Sequence, residues 1–254
     1  MARVVLITGA SSGFGAACAR HFAAQGDHLI LAARREGALL QLADELAKVT
    51  KVHSLPLDLR NRSAVELAIA NLPEEFSKVE ILINNAGLAL GLESAAACSL
   101  DDWDAMVDTN IKGLIYCTRL VLPGMVARNC GQIVNIGSTA GAWPYPGGNV
   151  YGGTKAFVEQ FSRNLRADLL GQQIRVTCLA PGMAETEFSK VRFKGDEAQA
   201  AQVYAGTDKL TADDIAGIIT WITNLPPHVN INFLEVMSID QSWGPFAVHR
   251  NLPK

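Results

Sequence analysis

Tyr151 and Lys155 stand four residues apart in the stretch Tyr151-Gly-Gly-Thr-Lys155. On a helix, side chains at that spacing project from one face, one turn apart. A free tyrosine ionises near pH 10, a poor match to proton transfer near neutrality. A lysine ammonium close by favours the phenolate and lowers that pKa, so the pair is suited to moving a proton. Ser138 follows the apolar run Gln132-Ile-Val-Asn-Ile136, where a strand should end. A hydroxyl there is placed to hold a carbonyl oxygen while the tyrosine protonates it. Taken alone, the spacing describes a surface Tyr/Lys pair equally well.

The elements that must position these groups alternate between strand and helix. Apolar runs at Val4–Ile7, His28–Ala33, Lys51–Leu57, Glu80–Asn84, Gly131–Gly137, Ile174–Leu179 and Ile231–Val236 read as strands. Helices are expected at about Gly13–Gln25 (closed by Gly26), Ala38–Lys48, Val150–Leu170 and Ala212–Asn224. Another starts at an Asn61 or Ser63 cap and ends near Pro73. A long helical region runs from Leu100 to about Ala127 behind a Ser99 cap, with Pro123 kinking or resetting its last turns. Residues 184–205 are polar and less regular. Continuous apolar strands separated by helices specify a mostly parallel sheet covered on both faces. The fold class is therefore α/β: a Rossmann-like, doubly wound parallel sheet of about seven strands. No linker or repeat divides the chain, so residues 1–254 are expected to form one domain. A substrate lid is expected at about 183–207 and an oligomerisation tail at about 229–254.

Thr8-Gly-Ala-Ser-Ser-Gly-Phe-Gly15 joins the first strand to the first helix. Its glycines allow a tight turn and let a pyrophosphate approach the helix N-terminus, where free amides and the dipole favour anions. Gly9, Ser11, Ser12, Gly13, Phe14 and Gly15 are the candidates for that contact. The spacing is GxxxGxG rather than GxGxxG, and close helix–strand packing alone would also call for such glycines. At the end of the second strand stands Ala33-Arg34-Arg35, with no acid to meet a ribose 2′-hydroxyl. Two guanidiniums there favour the 2′-phosphate of NADP(H) over NAD(H), the alternative being two solvated arginines. Asp58, in Pro56-Leu-Asp-Leu59, is placed either to accept from an adenine amino group or to cap a helix, with Leu59 beside it.

In order and spacing, Thr8-Gly-x-x-x-Gly-x-Gly15, Asn84-Asn-Ala-Gly87, Asn110, Ser138, Tyr151-x-x-x-Lys155 and Pro181-Gly182 resemble the short-chain dehydrogenase/reductase family over essentially the whole chain. The resemblance implies that Tyr151 is the general acid/base and Ser138 orients the substrate oxygen. Lys155 would bind the nicotinamide ribose and lower the tyrosine pKa, and Asn110 would anchor a water in a proton relay. Asn85, Ala86 and Gly87 would border the adenosine ribose, and Pro181, Gly182 and Thr186 would contact the nicotinamide carboxamide. A narrower likeness is carried by Asn84–Gly91, Gly137–Pro144, Gly147–Tyr151, Val191–Gly195 and Pro227–Asn232. These resemble bacterial NADP-dependent 3-hydroxy acid dehydrogenases, which act on serine, allo-threonine and 3-hydroxypropionate-type compounds, and the related sulfoacetaldehyde reductases. Pro181-Gly-Met-Ala-Glu-Thr186 departs from that branch in being shorter and more acidic.

Such substrates carry an anion close to the reacting carbon, so a cation is expected near Ser138 and Tyr151. Arg192 is the candidate clamp, with Tyr145 and Gln241 as helpers; a bidentate guanidinium suits a carboxylate and a sulfonate about equally. The apolar stretch from Val229 to Trp243 suggests an interface of a homotetramer, or simple closure of the core. A non-catalytic dinucleotide-binding regulator would be expected to break the Ser/Tyr/Lys set or append a recognition module, and the chain does neither.

A net charge of −3, with no basic run, gives no support for nucleic-acid binding. The chain enters a strand pattern at once, without the features of a signal peptide, and no apolar run is long enough to span a bilayer. Five scattered cysteines without CxxC spacing suggest buried free thiols in a reducing cytoplasm. The five histidines show neither HExxH nor paired spacing, so no metal site is expected.

Overall fold

The computed structural model describes residues 2–243. Seven strands form one parallel sheet in the order β3-β2-β1-β4-β5-β6-β7. They are β1 (Val4–Thr8), β2 (His28–Ala33), β3 (Val52–Pro56), β4 (Ile81–Asn84), β5 (Gly131–Ile136), β6 (Ile174–Pro181) and β7 (Phe233–Val236). The order reverses between β1 and β4, which pair from Val5↔Ile81 to Ile7↔Ile83. In a doubly wound sheet, ligands bind at such a switch point, beyond the carboxyl ends of the strands.

The helices are α1 (Gly13–Ala24), α2 (Glu36–Leu46), α3 (Arg62–Ala70), α4 (Leu100–Val107), α5 (Leu114–Arg128), α6 (Asn149–Asp168), α7 (Phe188–Arg192), α8 (Glu197–Tyr204) and α9 (Ala212–Thr223). One face of the sheet buries Val5, Ile7, Leu29 and Leu31 against Phe22 of α1, Leu39 of α2 and Ile215 of α9. The other buries Leu6, Ile30, Leu82 and Ile133 against Val65 of α3, Val121 of α5 and Leu165 of α6. Burial on both faces explains why the strands read as unbroken apolar runs rather than alternating ones.

Helix ends follow local chemistry. The Asn61 side chain accepts from the Ala64 amide and starts α3. Thr211 and Asp214 form a reciprocal capping box at α9. α2 starts two residues earlier than expected, α3 ends at Ala70 rather than near Pro73, and Ser99 precedes α4 without a side-chain cap. α5 continues through Pro123 and ends at left-handed Asn129 (φ 48°), whereas Asp108–Gly113, between α4 and α5, winds as a π-helix. Residues 184–205 hold the two short helices α7 and α8.

A buried polar chain crosses the sheet. Asn84 Nδ2 donates to Thr118 Oγ1 (2.9 Å) and to Asn135 Oδ1 (2.8 Å), and Asn135 Nδ2 donates to Ser162 Oγ (2.9 Å). This chain ties β4 and β5 to α5 and α6. Asn135→Ala should lower unfolding free energy by about 2–4 kcal/mol, through two lost buried hydrogen bonds and a small cavity. Urea denaturation of both proteins checks it.

Candidate active site

The carboxyl edge of the sheet is organised around Thr8. Its Oγ1 accepts from the amides of Asn85 and Ala86, each at 3.0 Å, and donates to Ile83 O at 3.2 Å. Asn85 Nδ2 returns to Thr8 O (2.8 Å) and Gly9 O (3.2 Å). The loops after β1 and β4 are therefore knotted together where the strand order reverses. Gly9 is left-handed (φ +67°), and a Cβ there would lie 2.9 Å from the Ala86 Cα. The first turn of α1 has no side-chain cap and no acidic residue, so its amides remain suited to an anion.

From this turn a continuous cleft of about 520 Å³ runs to Tyr151 and Arg192. At one end lie Arg34, Arg35 and Asp58. Arg60 grips the Asp58 carboxylate through Nε and Nη2 and, with Arg34 nearby, holds it below the usual carboxylate range. At the other end lie Ser138, Tyr145, Tyr151, Lys155 and Phe188. Thr109 and Thr139 also line the cleft, and each has a buried hydroxyl without a hydrogen-bond partner. A long phosphate-bearing ligand with polar groups along its length fits this wall.

Ser138 follows β5 and caps a short turn, its Oγ accepting from the Ala140 amide at 3.1 Å. Tyr151 (8% exposed) and Lys155 (6% exposed) both lie on α6. The Lys155 Nζ donates to Ile136 O at 2.8 Å and lies 5.8 Å from the centre of the Tyr151 ring. Burial pushes the Tyr151 phenol up to about 12, against the lowering effects of a Ser138 hydrogen bond and the Arg192 charge. Burial likewise pushes Lys155 down to about 8. The lowered phenol pKa expected from Lys155 is thus corrected: desolvation dominates, and the cation that opposes it is Arg192.

Asn110 sits in the π-helical turn. Its Oδ1 accepts from Leu88 N (2.8 Å), and its Nδ2 donates to Leu88 O (2.8 Å) and Thr154 Oγ1 (3.0 Å). The side chain holds the loop after β4 against α6. A Cβ at Gly87 would meet Asn110 Oδ1 at 3.3 Å and Lys155 Nζ at 3.5 Å, so both groups converge on one point.

The segment after β6 covers the cleft. Arg192, at the end of α7, donates from Nη2 to Tyr145 OH at 2.7 Å. Its guanidinium carbon lies 5.1, 5.3 and 5.7 Å from the ring centres of Tyr151, Phe188 and Tyr145. Its Nε is buried without a partner. The Arg192 carbonyl accepts from Gly91 N at 2.9 Å, and Lys194 pairs with Asp102 at 2.7 Å, so this end of the lid is tied down. A Cβ at Gly148 would meet the Tyr145 ring at 2.5 Å, which shows how closely that ring lies on the chain before α6. Glu185, part of the acidic departure noted in the sequence, turns away to pair with Lys209 at 2.7 Å.

Most residues expected from the sequence meet in this cleft: Gly9, Ser11, Ser12, Gly13, Phe14, Arg34, Arg35, Asp58, Leu59, Asn85, Ala86, Gly87, Ser138, Tyr145, Tyr151, Lys155, Pro181, Gly182, Thr186 and Arg192. Gly15 lies behind it, where a Cβ would come within 2.4 Å of Gly9 O. Gln241 is a correction. Its Oε1 accepts from Met183 N at 2.8 Å, and it is buried behind Gly182, off the cleft wall. Of the five cysteines, Cys18, Cys117 and Cys178 are buried, but Cys98 is partly exposed and Cys130 exposed. Glu187, Phe188 and Tyr204, which the sequence reading missed, also line the cleft. They fall in the segment where helical periodicity is weakest, and only their nearness to Thr186 marked them.

The family model for short chain dehydrogenase matches residues 3–197. The chain belongs to the short chain dehydrogenase family. This short chain dehydrogenase is 54% identical over 248 residues to the NADP-dependent 3-hydroxy acid dehydrogenase YdfG of Escherichia coli strain K12, covering 97% of this chain and 99% of that one. It is 53% identical over 252 residues to sulfoacetaldehyde reductase 2 of Chromohalobacter salexigens, covering 99% and 100%. Among solved structures, the closed form of a serine dehydrogenase complexed with NADP+ matches with a TM-score of 0.92 at 54% identity, covering 97% of this chain and 99% of that chain.

The buried lysine of this short chain dehydrogenase gives its stability a pH signature. Burial lowers Lys155 to about 8 in the fold from its ordinary 10.5, so between those values the unfolded chain binds more protons. Stability from this group is therefore fully present above about 10.5 and is lost as pH falls through about 8. In Lys155→Met this contribution should vanish. Urea titrations from pH 7 to about 9.5 check it, below the range where Tyr151 and the unfolded tyrosines ionise.

Proposed function

We propose that the chain is an NADP(H)-dependent oxidoreductase that interconverts a small anionic 3-hydroxy acid and its carbonyl form. The observation that carries this reading is the placement of Arg192. A single guanidinium stands over the Tyr151 ring at 5.1 Å, in the same cleft as Ser138 and Lys155. A substrate whose carbonyl oxygen meets Tyr151 and Ser138 has its anion within reach of that cation. The names of the relatives support the same class: an NADP-dependent 3-hydroxy acid dehydrogenase, and a serine dehydrogenase complexed with NADP+.

The bound nicotinamide supplies the hydride in reduction and accepts it in oxidation. Tyr151 gives the proton to the carbonyl oxygen, or takes it from the alcohol, while Ser138 holds that oxygen by a hydrogen bond. The Tyr151 phenol, protonated at neutral pH even at its ordinary value and more so after burial, is ready to act as the acid in reduction. Lys155, fixed by Ile136 O, holds the nicotinamide ribose. Asn110 secures the loop at Leu88 on which this arrangement rests. Arg192 binds the substrate carboxylate, and Tyr145 holds the guanidinium from the other side. Arg34 and Arg35 put positive charge at the end of the cleft where the 2′-phosphate end of the dinucleotide would lie, and Asp58 would be placed to accept from the adenine amino group.

A second reading, reduction of sulfoacetaldehyde to its hydroxy sulfonate, is supported by the 53% identity to sulfoacetaldehyde reductase 2. The same guanidinium accepts either anion. Among the described residues, no helix is long and apolar enough to cross a membrane. The exposed apolar side chains Ile239 and Trp243, which follow the edge strand β7, fit a homotetramer contact. The part of the expected tail at 244–254 lies outside the described residues.

NADPH-coupled rates on malonic semialdehyde and sulfoacetaldehyde, with serine, allo-threonine and isethionate in reverse, test the substrate class. Faster turnover of the carboxylate compounds is expected; turnover confined to the sulfonates would select the second reading. Tyr151→Phe should lower kcat by about 10²–10⁴-fold, and undiminished turnover would remove Tyr151 from the chemistry. Arg192→Ala should raise KM for anionic substrates by about tenfold or more and spare a neutral aldehyde. An equal effect on both would reject the clamp.

A further inference from the structure

The two arginines after β2 are adjacent in sequence but make different contacts. The Arg34 guanidinium makes no hydrogen bond or ion pair among the described residues and lies near enough to Asp58 to lower its pKa. Arg35 is held by three protein contacts. Its Nε donates to Ser11 Oγ at 3.2 Å, its Nη2 donates to Ser12 Oγ, and its Nη1 donates to Glu187 Oε2 at 2.7 Å. Glu187 precedes α7, and Arg192 ends it. The residue before Glu187 also touches the glycine turn: a Cβ at Gly13 would lie 3.4 Å from the Thr186 Cβ. One short helix is thus pinned at its start to the phosphate-binding turn and at its end to Tyr145.

We propose that Arg35 and Glu187 form a clasp that seats α7 on the glycine turn and so positions Arg192, leaving discrimination of the 2′-phosphate to Arg34. The proposal rests on the NADP(H) reading above and divides a task that the sequence assigned to both arginines. Glu187 is a positioning residue: it acts on the substrate through α7 and on the cofactor by holding the lid down. Three of the five N–H groups of Arg35 are committed to the protein and fix its direction, whereas among the described residues all five of Arg34 are free to meet a phosphate. Because the clasp grips the glycine turn, which would meet the pyrophosphate common to both dinucleotides, its loss should not distinguish them.

Dissociation constants for NADP+ and NAD+, and KM and kcat for an anionic carbonyl substrate at saturating NADPH, test the division. Glu187→Gln should weaken both dinucleotides by the same factor, about threefold for an exposed ion pair. It should also raise KM several-fold and leave kcat nearly unchanged. Arg34→Ala should weaken NADP+ by about tenfold or more, as the loss of a charge-assisted contact requires, and leave NAD+ within about twofold. For NAD+ binding, Arg35→Ala combined with Glu187→Gln should be no worse than Arg35→Ala alone, the sign of a coupled pair. If Glu187→Gln instead tightens NADP+ alone, the carboxylate competes with the 2′-phosphate and the clasp is overturned. Multiplying effects in the double variant, or an unchanged KM in Glu187→Gln, also overturn it. Wild-type protein that binds neither dinucleotide would overturn the cofactor reading and the clasp together, an outcome distinct from all of these.

Discussion

The hydroxyl of Thr8 is the point on which the carboxyl edge depends. It accepts from two successive amides of the loop after β4 and donates to Ile83 O, while Asn85 reaches back to the chain at Thr8 and Gly9. In a parallel sheet the chain leaves every strand at the same edge, and at a switch point two neighbouring loops diverge to opposite faces. Their backbone groups would otherwise lose ladder partners at a site shielded from water, at a cost of about 1–3 kcal/mol per unsatisfied group. The Thr8–Asn85 knot satisfies them and leaves a crevice rather than a collapsed edge. The glycine turn, the Asn110 latch on Leu88 and the wall beneath Lys155 are all built outward from that crevice.

On this scaffold the active-site charges are held at a cost. Lys155 is almost wholly buried, with one carbonyl as its partner in the cleft wall, and burial drives its pKa down as it drives that of Tyr151 up. Both shifts favour neutral forms. The guanidinium over the tyrosine opposes this trend and arrives on a different element from the tyrosine itself. The lid therefore adds a charge to the surroundings of α6, while desolvation remains the larger effect on Tyr151.

Much of this was legible in the chain. Unbroken apolar strands alternating with helices specify a parallel sheet because burial on both faces leaves no other pattern. Tyr151, Lys155 and Ser138 could be placed because one helical turn and one strand end determine their geometry. Arg192 could be placed because the chemistry of an anionic substrate requires a cation. Other features depend on contacts that no local pattern carries. Gln241 is expected at the substrate, but its Oε1 accepts from Met183 N behind Gly182, a long-range packing outcome. The Lys155 effect on Tyr151 was misjudged because proximity in sequence gives charge but not desolvation. α5 runs through Pro123, and the π-helical winding that starts fifteen residues earlier, at Asp108, has no local sequence signal. The Glu187–Arg35 pair joins residues 152 positions apart, beyond any motif spacing.

The π-helical turn can also be described as an insertion. Its hydrogen bonds close over one residue more than those of an α-helix, so everything after it is rotated by about 100° relative to an uninterrupted rod. α4 and α5 can thus follow one another as a single rod while presenting faces that are out of phase, one toward the substrate end of α6 and the other into the core beside β4. Removing a single residue between Asp108 and Gly113 would restore a regular helix. It would also swing Asn110 away from Leu88 and Thr154, or force all of α5 to turn on the sheet. The irregular winding is the arithmetic by which one rod serves two surfaces.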